Sequence, residues 1–124
     1  RYRTLFESAS YSMLLLNNQG KIELANLACE AMFGYKKEEL INKIIEVLIP
    51  EKYVHDHHEN IKKFLSIPEK QNIDNIIQTF GQTKNGHMFP IEIRLAPAEF
   101  FDGKYVIASI IDVSHYIKTD NKAK

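Results

Sequence analysis

Three histidines crowd the stretch Tyr53-Val54-His55-Asp56-His57-His58-Glu59. Imidazoles and carboxylates at that density raise a zinc reading, because four such ligands complete a tetrahedral shell. Helical spacing argues against it. His55 and His58 stand three residues apart on the flanks, while His57 turns to the side shared by Val54, Ile61, Phe64 and Leu65. Glu51, Asp56 or Glu59 would have to complete the shell. A solvated polar face accounts for His55 and His58, and no metal site is expected. His57 differs, because an imidazole on an otherwise apolar face is a packed side chain or the polar edge of a pocket. Cys29 is the lone cysteine and reads as a small buried thiol. Ser109 interrupts an apolar strand and offers one hydrogen bond, to the backbone or to a ligand, the backbone being favoured. No Ser-His-Asp pairing, Gly-rich phosphate loop or inward pair of carboxylates emerges, so an enzyme is not expected.

Composition narrows the field further. The 124 residues suffice for one domain with its own core. Basic and acidic residues number 16 each, so net charge argues for neither nucleic acid nor an anionic membrane surface. No apolar run approaches the roughly 20 residues of a membrane helix. The chain opens on Arg1 and reads as a segment of a longer protein. A lone cysteine excludes an internal disulfide and fits a reducing, cytoplasmic setting.

The elements that position these residues follow from periodicity. In the stretch 75–95 two β-rich runs flank Asn85-Gly86, which predicts a hairpin with a type I′ turn. After it, Ile91, Ile93 and Leu95 alternate with Glu92 and Arg94, so one sheet face is dry and one wet. An earlier hairpin is expected from the apolar run 12–16, the turn residues Asn17-Asn18-Gln19-Gly20, and the alternating run 21–25. Asn26 is placed to cap a helix over residues 27–33, with Gly34 just past its end and Ala28, Met32 and Cys29 toward the sheet. Residues 36–40 form a second helical turn, and 42–50 an irregular buried segment. Pro50 and Glu51 open a helix over 51–67 that stops before Pro68. Residues 1–10 place Tyr2, Leu5, Phe6 and Ala9 at helical spacing and predict a flanking helix lying on the domain, or alternatively a dimer contact or input linker.

Asp102-Gly103 predicts a further two-residue hairpin. The run 105–111 lacks alternation, so it is buried on both faces or lies in the middle of a sheet. It then needs two neighbours, the preceding strand and the run 12–16. The fold class is therefore α+β: five antiparallel strands in the order 2-1-5-4-3, with the helices on one face. The core spans 11–113, and 114–124 is an exit linker.

These words, in this order, resemble a PAS domain. The resemblance rests on Asn17 to Gly20, then Asn26-Leu27-Ala28-Cys29-Glu30-Ala31-Met32-Phe33-Gly34-Tyr35, then Lys37-Glu38-Glu39-Leu40-Ile41-Asn42-Lys43. It continues in Lys84-Asn85-Gly86-His87-Met88-Phe89-Pro90-Ile91-Glu92 and in Asp112-Val113-Ser114, which is similar to the family's exit motif. The match covers nearly the whole chain. It implies a non-catalytic sensory or dimerisation module of a bacterial-type signalling protein, such as a histidine kinase in a two-component system, enclosing a small pocket between sheet and helices.

The resemblance also sets the candidate site. A small-molecule ligand or partner would meet Met32, His57, Ile61, Phe64, Ile93 and Ile107, with Ser109 as a polar handle. The change would leave through Asp112 and Ser114 to an effector outside the chain, and a homodimer is expected. In the haem-binding oxygen sensors of the FixL type a histidine on the long helix ligates iron, and His57 occupies that register. Their oxygen-contacting arginine falls here on Ile77, which donates no hydrogen bond. That departure counts against oxygen sensing and not against haem binding itself. Because PAS domains without haem carry histidine at this position too, a packed histidine is favoured over a haem ligand. A flavin is not expected, because the light-sensing motif around a reactive cysteine is absent and Cys29 lies in the first helix. A ligand-free dimerisation spacer is the remaining alternative.

Overall fold

The computed structural model describes residues 11–55, 59 and 76–115. The expected flanking helix at 1–10, most of the helix predicted over 51–67, and the linker beyond 115 lie outside the described residues.

Five strands form one antiparallel sheet: β1 (Ser12–Leu16), β2 (Ile22–Ala25), β3 (Ile76–Gln82), β4 (Met88–Phe100) and β5 (Gly103–Asp112), in the order β2-β1-β5-β4-β3. This is the order expected from the chain. The β5 run is central, paired with β1 through Leu14–Ala108 and with β4 through Leu95–Ala108. Between β2 and β3 lie α1 (Leu27–Phe33), α2 (Lys37–Leu40), a 3-10 turn (Ile45–Leu48) and a helix that begins at residue 51.

Strand alternation decides which side is dry. Leu14, Leu16, Ile22, Ile91, Ile93, Val106, Ala108 and Ile110 are buried and share one face. With Phe33, Leu40, Ile45 and Leu48 they build the core. The odd residues of β5 take the opposite face, so Ile107 and Ser109 leave the expected pocket wall. Ile107 pairs with Leu15 and Ala96, and Ser109 with Met13 and Arg94. The missing alternation in 105–111 reflects two half-apolar faces and not burial on both sides: Ile107, Ser109 and Ile111 are only half-buried.

Two turns also differ from expectation. At Asn85-Gly86 only Gly86 has positive φ, 97°. The Gly86 N–H donates to the Thr83 carbonyl at 3.0 Å, and Thr83 N–H donates to the His87 carbonyl at 2.9 Å. This is a type I turn closed by a left-handed glycine, the longer alternative to the two-residue primed turn. The β4–β5 turn centres on Phe101-Asp102, one residue earlier than expected, because Phe100 pairs with Gly103.

Gly81 marks a close approach. A Cβ there would stand 3.0 Å from Phe33 Cε1 and 3.3 Å from Ile91. The Phe33 ring is fully buried and lies 5.5 Å from Phe89, so it has nowhere to retreat. Gly81→Val is expected to cost about 2 kcal/mol by overpacking, read as a lowered urea midpoint with unchanged slope.

Candidate functional site

Two ties set the first wall of the site, the helix α1. Asn26 is buried at its N-terminus. Its Oδ1 accepts from the backbone N–H of Cys29 and of Met13, each at 3.0 Å, and its Nδ2 donates to the Tyr11 carbonyl at 3.0 Å. One amide thus caps the helix and clamps it to β1. Further along α1, Ser12 Oγ reaches Met32 Sδ at 3.3 Å. Gly34 closes the helix with φ 79°, its N–H donating to the Glu30 carbonyl.

The second wall is the β3–β4 hairpin. It is held to α1 by Lys84 N–H donating to the Phe33 carbonyl at 2.9 Å and by the Phe33–Phe89 ring contact. Lys84 Nζ also donates to Glu39 Oε2 at 2.6 Å, which holds that exposed carboxyl below its ordinary range, with a backbone bond from Lys36 assisting. The His87 ring stacks on Phe89 with centroids 6.0 Å apart.

Between these walls runs a groove of about 730 Å³. Ala28, Ala31 and Met32 line it from α1, and Thr83, His87, Met88 and Phe89 from the hairpin. Ser12, Pro90, Asp112 and Ser114 complete the lining, and at Asp112 the chain leaves the sheet. Asp112 Oδ1 accepts from Ser114 N–H at 2.9 Å and from Ser114 Oγ at 2.6 Å, and residues 114–115 turn helical from there. The lining mixes apolar side chains with hydroxyl, imidazole and carboxylate groups.

The structure therefore unites Met32, Asp112 and Ser114 in one cavity. Ile93 is fully buried in the core, and Ile107 and Ser109 face the other way. His57, Ile61 and Phe64 lie outside the described residues. His55 is exposed, and among the described residues no group of three or more His, Cys, Asp or Glu could hold a metal ion. The groove's hairpin side, Thr83, His87 and Met88, was missed from sequence. The available signal was the hairpin itself, since antiparallel pairing brings the β3–β4 turn beside the end of β5.

Cys29 and Phe33, and not Ala28 and Met32, point deepest into the core. Burial, with Glu30 nearby, pushes the Cys29 thiol from its ordinary 9.0 up to about 12. Folding favours the protonated thiol. Its contribution is whole below pH 9.0 and is lost as pH rises toward about 12, by up to about 1.4 kcal/mol per pH unit. Urea midpoints between pH 8 and 11 should fall more steeply for the native chain than for Cys29→Ala. Parallel slopes would contradict this.

A PAS domain family model matches residues 10–115. The chain belongs to the PAS family. It is 29% identical over 118 residues to a probable serine/threonine-protein kinase of Dictyostelium discoideum, covering 91% of this chain and 8% of that protein. It is 23% identical over 119 residues to the sensor protein FixL of Bradyrhizobium diazoefficiens, covering 94% of this chain and 23% of that protein. The chain thus spans less than a quarter of either relative. The PAS domain of the RpfR quorum-sensing receptor of Cronobacter turicensis, solved in complex with C12:0, shares the fold. Its TM-score is 0.66 at 18% identity, covering 86% of this chain and 96% of that one. Among the described residues no helix is long and apolar enough to cross a membrane.

Proposed function

We propose that this PAS domain is a non-catalytic sensory and dimerisation module of the cytoplasm that binds a small ligand or partner and relays the change to an effector outside the chain. One observation carries the reading. Asp112 and Ser114, the residues that start the exit helix, stand in the wall of the same groove as Met32 of α1. An occupant that fills the groove meets both α1 and the start of the exit. It can shift the exit only by its differential affinity for two packings of α1 against the hairpin. Met88 is exposed and Met32 half-buried, and methionine adapts readily to different apolar shapes. The relatives named as a kinase and a sensor protein, and the neighbour solved with C12:0, support a sensory role.

Native mass spectrometry of the intact, freshly purified domain tests this. A retained small mass on a dimer is the expected result. A dimer with no bound mass, unaltered by added ligands, would favour a structural spacer. An absorption spectrum taken alongside addresses His57. A Soret band lost in His57→Ala would replace this reading with a haem sensor.

A further inference from the structure

Two of the chain's three methionines, Met32 and Met88, line the groove, and Met32 carries a contact that ligand binding leaves unexplained. Ser12 is fully buried at the start of β1, yet its hydroxyl donates to Met32 Sδ at 3.3 Å. A thioether is a weak acceptor. A buried O–H, which is costly to leave unpaired, is thus held by a poor partner. Met32 itself is half-buried in the groove wall beside Ala28 and Ala31, within reach of a small solute. Among the described residues, neither Met13 nor Met88 has a hydrogen-bond donor at its sulfur.

Oxidation of the sulfur would correct that mismatch. A peroxide converts a methionine thioether to a sulfoxide. A sulfur lone pair attacks the O–O bond, the S–O bond forms as the O–O bond breaks, and the peroxide is reduced to water. The product is polar and chiral, and its oxygen accepts far more strongly than sulfur does. Methionine's rotatable bonds let that oxygen turn, and a serine hydroxyl rotates to suit its acceptor. At an apolar contact the new oxygen would be stranded. Here it meets a buried donor already in place.

We propose that Met32 is a reversible oxidation site, with Ser12 as the donor that receives its sulfoxide. The oxidant is a hydroperoxide, and a methionine sulfoxide reductase returns the thioether. Oxidation makes the groove wall polar and strengthens the tie between α1 and β1. Ser12 pairs with Ile110, on the strand that ends at Asp112. The step from Met32 onward to the exit rests on the sensory reading above, whereas the pairing of sulfoxide with Ser12 does not.

Met13→Leu with Met88→Leu leaves Met32 as the single methionine of the 124-residue chain. That full chain, with and without Ser12→Ala, is treated with hydrogen peroxide, mapped by peptide mass and unfolded in urea. Met32 should gain one oxygen, and methionine sulfoxide reductases should remove it. Oxidation should lower the urea midpoint of the Ser12→Ala chain more than that of the chain with Ser12. An equal loss in both, or a larger loss with Ser12 present, would overturn the proposal. So would a Met32 that stays reduced in peroxide that oxidises free methionine. Exchange of the Ser114 amide in the same samples tests the onward step separately. A rate unaltered by oxidation, beside a midpoint that depends on Ser12, would contradict the relay to the exit and support the site.

Discussion

Asn26→Ala is expected to lower the unfolding free energy of this PAS domain by about 3 kcal/mol. Loss of the helix cap accounts for about 1 kcal/mol. The rest comes from two partly buried partners left without their bond, each costing about 1 kcal/mol, the low end for such groups. Those partners are the Met13 N–H, which Asn26 Oδ1 accepts, and the Tyr11 carbonyl, to which Nδ2 donates. Asn26→Ser separates the two contributions. It returns a capping oxygen but is too short to clamp β1, so it should recover about 1 kcal/mol. Urea unfolding of the three proteins measures this. If alanine and serine both cost less than the cap alone, the clamp between β1 and α1 contributes nothing.

Phe33→Ala is expected to cost more, about 4 kcal/mol, from the lost transfer energy of a large buried ring and the cavity it leaves. The ring is fully buried, meets Phe89, and lies over Gly81. Met32, its neighbour in sequence, is only half-buried on the groove side. Met32→Ala should therefore cost roughly 1 kcal/mol, in proportion to the smaller apolar area it buries. The contrast is diagnostic. Equal costs at the two positions would mean that α1 sits in a different rotation about its axis. Gel filtration at low urea would show whether Phe33→Ala stays monodisperse once the hairpin loses its anchor.

The strand order was legible because it rests on long patterns: the alternation from Ile91 to Leu95, the apolar run through Ile110, and the turn residues between them. Helix α1 was legible from its caps, since Asn26 and Gly34 each have a distinct local chemistry. The side of each β5 residue was not. Ile107 and Ile110 are the same residue type, and a run without alternation carries no mark of which parity faces in. Partner registry supplies the answer: Ala108 opposite Leu14 and Leu95 puts even residues inward. The turn types were missed for a related reason. Asn85-Gly86 permits a two-residue turn, but Thr83 and His87 bond to each other and lengthen the loop. Of the groove, Asp112 and Ser114 were singled out by their motif, whereas their proximity to Met32 and His87 depends on separate elements meeting in space.

The account depends most on the link between groove and exit. Ala31 is exposed on α1 and lines the groove, and the chain has no tryptophan, so Ala31→Trp both fills the groove and reports its own burial by fluorescence. Hydrogen exchange at the Ser114 amide, bonded to Asp112 at 2.9 Å, reads the exit directly. With the indole emission blue-shifted and global stability unchanged, that amide should exchange at a rate altered by an order of magnitude. A buried indole beside an unaltered Ser114 exchange rate would contradict the account.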